Sequence, residues 1–296
     1  MTNYFQKPQA HKAALKMAMY GPAGSGKTFT ALLVAEGLAR QTGKRIAYVD
    51  TEYGTAFYGQ AVAERGVHPQ AFDFDVLYTK SITQALDAVR GLDHTTHGAL
   101  VIDSISHIWD AAITAYTGKR TKAGTVPLHA WGAIKKPYKE LMHLLLASPA
   151  HVLICGRQGN DFAEDEDTGE LKNLGFKMRA EGETAYEPDV LVRLESHRPG
   201  KKATAVPTAH VEKDRTGVLA GQTIAWPTFD TMAKTAGSSL VGWAVGQGSP
   251  PNAPWANVSE PVANSGPGIQ AERDSSDTDA ATFRATSPAK SWRLSS

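Results

Sequence analysis

The chain has 296 residues, 42% hydrophobic and 21% charged, which is enough apolar material for a sizeable core and excludes wholesale disorder. Its 31 Lys and Arg against 30 Asp and Glu give a formal net charge of +1, so a globally basic nucleic-acid coat is excluded and any such binding falls to a local patch. A lone cysteine, Cys155, excludes an intramolecular disulfide framework and a Cys-rich zinc module; with no apolar run of about 18 residues and no apolar signal core at the N-terminus, a soluble intracellular protein without a membrane partner is expected.

Ala14–Tyr20 is a short apolar run stopped by Gly-Pro and reads as a strand. Phe29–Arg40 is apolar on most sides and reads as a buried helix. Arg45–Asp50 and Phe74–Tyr78 read as strands, and Ser81–Leu92 as an amphipathic helix. Ala99–Asp103 shows no alternation, as a strand of a parallel sheet covered on both faces should. Helical text follows at Ile105–Tyr116 and Ala130–Ala147, then another continuous apolar strand at His151–Gly156. Beyond it, Leu174–Ala180, Asp189–Ser196, Ala205–Asp214 and Thr223–Trp226 read as strands joined by short turns. The front of the chain is therefore strand–helix alternating and the back largely strands. That predicts an α/β fold, a mostly parallel sheet flanked by helices and extended by C-terminal antiparallel strands. From Gly246 to Ser296, Pro, Ser, Gly, Ala and Asn dominate with no apolar period, the composition of a disordered tail. Trp292 and Arg293 are the anchors such a tail offers a partner. The division is an N-terminal arm over 1–11, one domain over 12–235, and a linker and tail over 236–296.

Gly21-Pro22-Ala23-Gly24-Ser25-Gly26-Lys27-Thr28 matches the phosphate-loop pattern GxxxxGK(S/T) between an apolar strand and a helix. Glycines let backbone N–H groups curl around phosphate oxygens, and the new helix points its positive end at them. Lys27 reaches the β and γ phosphates, and the Thr28 hydroxyl suits Mg²⁺, a hard cation. ATP and Mg²⁺ are therefore the expected ligands. Asp103 ends the strand Ala99–Asp103 and is the second candidate for holding Mg²⁺. Glu52 lies just past the strand Arg45–Asp50, on the ligand side of an open α/β sheet, where it can polarise the attacking water. Asp50 is its rival, and Glu52 is preferred because it lies further out of the sheet. Arg157 and Gln158 follow the strand His151–Gly156; either suits a γ-phosphate sensor, and the sequence does not choose between them.

These motifs resemble the RecA-like ATPase superfamily, and more closely its phage-encoded, single-domain members associated with single-strand annealing and recombination. GPAGSGKT, YVDTEYG, ALVIDS and HVLICGRQ carry the likeness in order, with VEKDRTG at Val211–Gly217 as a fifth element. It spans about Lys12 to Met232. The resemblance implies a RecA-like P-loop NTPase core that hydrolyses ATP, with Glu52 as general base. It further implies that Lys213 and Arg215 contact the nucleotide of a neighbouring subunit in a ring or filament. It places the protein in the cytoplasm of an infected bacterial host, with single-stranded DNA as partner and a single-strand-binding or replication protein at the tail.

RecA-like proteins hold DNA through two loops, and the first falls here near Thr117–Pro127. It carries Lys119, Arg120 and Lys122, and the following helix adds Lys135, Lys136 and Lys139. Such a local excess is what backbone-directed binding needs. Trp131 and His129 are candidates for stacking on bases. The second loop departs from the pattern: Asp161–Glu170 is acidic, reads as a hairpin turn at Asp167-Thr168-Gly169, and should repel phosphate. Rival readings are a helicase-loader or packaging-type motor ATPase, a small-metabolite kinase, and a nucleotide-dependent scaffold with little DNA binding.

Overall fold

The computed structural model describes residues 14–59, 68, 70–118, 126–165, 169–198, 205–215 and 217–236. Along them run β1 (Lys16–Gly21), α1 (Lys27–Thr42), β2 (Arg45–Asp50), β3 (Phe74–Tyr78), α2 (Ile82–Arg90), β4 (His97–Asp103) and α3 (Ile105–Thr117). Then come α4 (Trp131–Ala147), β5 (His151–Glu164), β6 (Leu171–Arg179), β7 (Val190–His197), β8 (Val206–Asp214), β9 (Thr223–Ala225) and α5 (Phe229–Ala236). The expected arm over 1–11 and the tail from 237 onward, with Trp292 and Arg293, lie outside the described residues.

The strands form one nine-stranded sheet in the order β3-β2-β4-β5-β1-β7-β8-β9, with β6 paired to β5 off that path. β3, β2, β4, β5, β1 and β7 are parallel. β6, β8 and β9 each run antiparallel to a neighbour. The expected mostly parallel sheet with antiparallel C-terminal strands is thus the observed one.

The continuous apolar strands have a simple cause. Side chains alternate across a strand, so a strand covered on both faces needs apolar residues at both phases. Met17 and Met19 of β1 pack with Leu32 and Leu38 of α1 and Phe229 of α5. Ala18 and Tyr20, pointing the other way, pack with Ile108 of α3 and with Tyr138 and Leu141 of α4. α1 ends where Gly43 N–H bonds Arg40 O and Lys44 N–H bonds Ala39 O, satisfying its last carbonyls.

β5 does not stop near Gly156 but runs on to Glu164, and β6 starts at Leu171 rather than Leu174. The acidic segment is therefore a hairpin arm. Its acids are partly neutralised by basic residues of β6, through the pairs Lys177–Asp161 at 2.8 Å and Lys172–Asp165. Residues 166–168 of the expected turn lie outside the described residues, and Gly169 N–H closes back on Asp165 O at 2.8 Å. No helix among the described residues is long and apolar enough to cross a membrane.

Candidate functional site

The C-terminal ends of the parallel strands gather the chemistry. Register sets Asp50 opposite both Tyr78 and Asp103, and Gly21 opposite Arg157. β5 lies between β1 and β4, so Cys155 is the register partner of Met19 on one side and Asp103 on the other. Burial pushes the Cys155 thiol well up, so it is an inert apolar spacer.

Gly21 through Thr28 form the turn between β1 and α1. A Cβ at Gly21 would come within 2.3 Å of Leu194 O and 2.7 Å of Ser25 Oγ, so only glycine fits. Gly26 sits at φ 90, the left-handed conformation that lets the loop hand over to the helix. The Lys27 ammonium donates to Gly21 O at 3.0 Å and Pro22 O at 2.9 Å. Burial lowers its pKa, against the charges of Asp103 and Glu52 nearby. Thr28 Oγ1 donates to Asp103 Oδ2 at 2.6 Å, so residues 75 apart in sequence meet. Tyr48 Oη donates to the same oxygen at 2.8 Å. Burial raises the Asp103 pKa, and those two hydrogen bonds oppose the rise.

The two acids at the end of β2 have different surroundings. Asp50 is 2% exposed. Its Oδ1 accepts Glu52 N–H at 2.8 Å; its Oδ2 accepts Thr55 N–H at 2.9 Å and Thr55 Oγ1–H at 2.7 Å. Glu52 is exposed and pairs with the Arg157 guanidinium at 3.0 Å. His107 Nδ1 lies 3.6 Å from Glu52 Oε1 and 2.8 Å from Thr51 Oγ1. Thr51 Oγ1 also accepts Ser104 N–H at 2.8 Å, which ties the start of α3 to the end of β2. Burial, followed by the Arg157 charge, lowers the His107 pKa. Among the described residues, the buried Ser25 Oγ, Ser104 Oγ and Gln158 Oε1 have no hydrogen-bond partner. Each such atom costs about 1–3 kcal/mol unless a ligand satisfies it.

A family model described as an AAA domain matches residues 13–216 of the chain. The chain belongs to this AAA-domain family. Among solved structures it is similar to a KaiC-like protein from the hyperthermophilic archaeon Pyrococcus horikoshii OT3, with 16% identity, 73% of this chain and 85% of that chain covered, and a TM-score of 0.45. No curated protein matches it. By that family it is a nucleotide-binding P-loop protein of AAA ATPase type. The residues fit a Mg²⁺–nucleotide: Thr28 and Asp103 offer hard oxygens side by side, and orphaned polar atoms flank the loop.

Not every expected residue of this AAA domain joins that cluster. Asp214 pairs with Val190, and Val190 with Met17 at the start of β1. Lys213 and Arg215 therefore sit at the end of the sheet opposite the phosphate loop, roughly 13 Å along β1. The Lys213 ammonium is held by the carbonyls of Tyr186 and Pro188, and Arg215 Nη1 lies 3.4 Å from Asp189 Oδ1. Lys119, Arg120 and Lys122 lie outside the described residues. Lys135 is bound to the buried carboxylate of Glu181 at 2.8 Å, whereas Lys136 is exposed on α4. Trp131 stacks on Trp109 with ring centres 6.2 Å apart, which leaves it half-buried, and His129 stays exposed. The sequence reading missed Tyr48, Thr51, Ser104 and His107. Tyr48 stands two residues before Asp50, on the phase that faces Asp103; a polar tip in an otherwise apolar strand was its signal.

Proposed function

We propose that the protein is a Mg²⁺-dependent ATP hydrolase of RecA-like type that works as an oligomer on single-stranded DNA in phage recombination, annealing or replication. The observation that carries the hydrolase reading is the division of labour between the acids of β2. Asp50 is used up inside its turn, while Glu52 stands exposed two residues past the register partner of Asp103. In this reading the backbone of Gly21–Thr28 cradles the phosphates, and Lys27 exchanges its two carbonyl acceptors for β and γ oxygens. Thr28 and Asp103 would hold Mg²⁺, which would supply charge neutralisation on those oxygens. Glu52 takes a proton from a water whose oxygen attacks the γ phosphorus. The bond from the γ phosphorus to the β–γ bridging oxygen breaks, ADP departs with that oxygen and its electron pair, and inorganic phosphate remains. The Glu52–Arg157 pair is half-exposed on both sides, worth about 0–1 kcal/mol, so it yields readily when water and phosphate arrive. Arg157 then faces the γ phosphate, and Gln158 gains a partner for its orphaned oxygen.

Lys213 and Arg215 lie at the far end from their own phosphate loop, which supports action on a neighbour's nucleotide, where a cation in trans is worth about 10³–10⁵ in rate. The DNA reading rests on the motif resemblance, the basic text at 119–122 and exposed Lys136. A single-strand-binding or replication protein is the proposed partner of the tail, and the cytoplasm of an infected bacterium its setting. The Lys135–Glu181 pair, which removes one of the basic residues, favours a nucleotide-dependent scaffold as second reading. ATP turnover measured with and without single-stranded DNA at two salt concentrations separates the readings. Turnover that single strands stimulate most at low salt is expected; no stimulation and no binding removes the DNA role. Lys27→Ala should abolish turnover, and wild-type rates in that variant would sink the site itself.

A further inference from the structure

Two tyrosines beside Glu52 hold their rings in solvent. Tyr53 is 65% and Tyr78 41% exposed, yet their rings stack at 5.2 Å with 13° between planes. Tyr53 holds this position at φ 59, a left-handed conformation that a bulky side chain adopts only at a cost of order 1 kcal/mol. The pair is anchored from below. Thr55 Oγ1 gives its proton to Asp50, so at 3.2 Å from Tyr78 Oη it accepts the tyrosine's. The same Asp50 carboxylate receives Glu52 N–H, so the stacked rings and the Glu52 backbone hang on one buried residue.

We propose that Tyr53 and Tyr78 form a platform on which a base of single-stranded nucleic acid stacks, next to the Glu52 carboxylate. This rests on the single-strand reading above and adds a contact that the basic loop does not provide. The chemistry fits a planar base. An exposed, flat and preorganised aromatic face gives sequence-tolerant stacking, while cations track the phosphodiester. Lys80 is exposed two residues past Tyr78, and its charge reaches His107, on the Glu52 side. Because the rings share Asp50 with Glu52, a base on the platform stiffens the strand end that carries Glu52.

The test uses a single-stranded oligothymidylate carrying one 2-aminopurine, and separately 2-aminopurine riboside triphosphate, with full-length wild type, Tyr53→Ala and Tyr53→Phe. Wild type and Tyr53→Phe should quench the oligonucleotide probe. Tyr53→Ala should lose the quenching and bind the strand about 5- to 150-fold more weakly, with nucleotide affinity unchanged. Full quenching and affinity in Tyr53→Ala would overturn the platform while leaving the single-strand reading intact. No oligonucleotide bound by wild type at low salt would overturn both. A loss confined to the triphosphate would reassign the rings to the nucleotide's base, and a changed sedimentation mass with quenching kept would reassign them to contact between copies; either overturns the proposal.

Discussion

Glu52 and Asp50 lie two positions apart, and an extended strand end points both toward the same side. What separates them is how many donors each has already met. Asp50 accepts three hydrogen bonds within its own turn, and Glu52 has one exchangeable ion pair. Glu52→Gln keeps the shape and removes the base, so it should bind ATP normally and lose turnover by about 10²–10⁴-fold. Asp50→Asn weakens a charged acceptor of the turn. It should lower stability by about 1.5–3 kcal/mol in urea unfolding while the folded fraction still turns over. Arrest by Asp50→Asn in a folded protein, with Glu52→Gln active, would reverse the assignment. The phosphate loop and Asp103 were legible in sequence because their spacing to strand and helix is itself the signal. In the sequence the preference for Glu52 rests only on its reach beyond the sheet. The stronger reason, that Thr55 and the Glu52 backbone consume Asp50, needs the turn folded. Arg157 and Gln158 are not separable in sequence for the same cause: the Arg157 side chain pairs with a residue 105 positions away, and the Gln158 Oε1 has no hydrogen-bond partner among the described residues.

At the scale of elements, apolar continuity was the reliable guide: β2 and β3 fall where the runs put them, and β1 and β4 within two residues of their expected starts. The far half of β5 was illegible because its residues alternate nothing apolar against a core; only pairing with β6 makes Arg157–Glu164 a strand. α5 was missed because it is eight residues long and its stability comes from where it docks. That docking is tight. A Cβ at Gly37 of α1 would lie 2.2 Å from Phe229 Cβ and 2.4 Å from Cγ. Intrinsic helix propensity favours Gly37→Ala by about 1 kcal/mol, but overpacking of this kind costs about 1–3 kcal/mol and pushes α5 off. Gly37→Ala should therefore lower the urea midpoint, with Phe229 more accessible. A raised midpoint would mean that propensity wins and α5 packs more loosely than its contact with Gly37 indicates.

For the whole molecule, the junction of β1 with β5 sets how stability varies with pH. Lys16 is 7% exposed and its Nζ donates to Ser148 O and Ala150 O, each at 2.6 Å. Burial lowers its pKa from 10.5 to about 7, opposed by Asp189. Beside it, His151 Nδ1 accepts Leu15 N–H at 2.9 Å, and burial with the Lys16 charge lowers that imidazole from 6.5 to about 4. A depressed folded-state pKa means that the unfolded chain binds the proton the folded one has released. For Lys16 that holds between about pH 7 and 10.5, so stability rises with pH across this window, and the penalty is fully present below it. His151 acts in the same direction between about 4 and 6.5. Buried Tyr20, Tyr48 and Tyr138 have raised values, mainly from desolvation, so above about pH 10 the unfolded chain ionises first and stability falls again. The maximum should lie near pH 9–10 rather than at neutrality. The Lys16 share amounts to several kcal/mol at most, because each tenfold change in proton affinity is worth about 1.4 kcal/mol. Lys16→Met leaves two carbonyls without their donor, so its stability at any one pH mixes two effects of opposite sign. The slope does not: the rise in urea midpoint from pH 7 to 9.5 should be steep in wild type and flat in Lys16→Met. An equal slope in both proteins would show that Lys16 stays charged in the fold, with water reaching the β1–β5 junction.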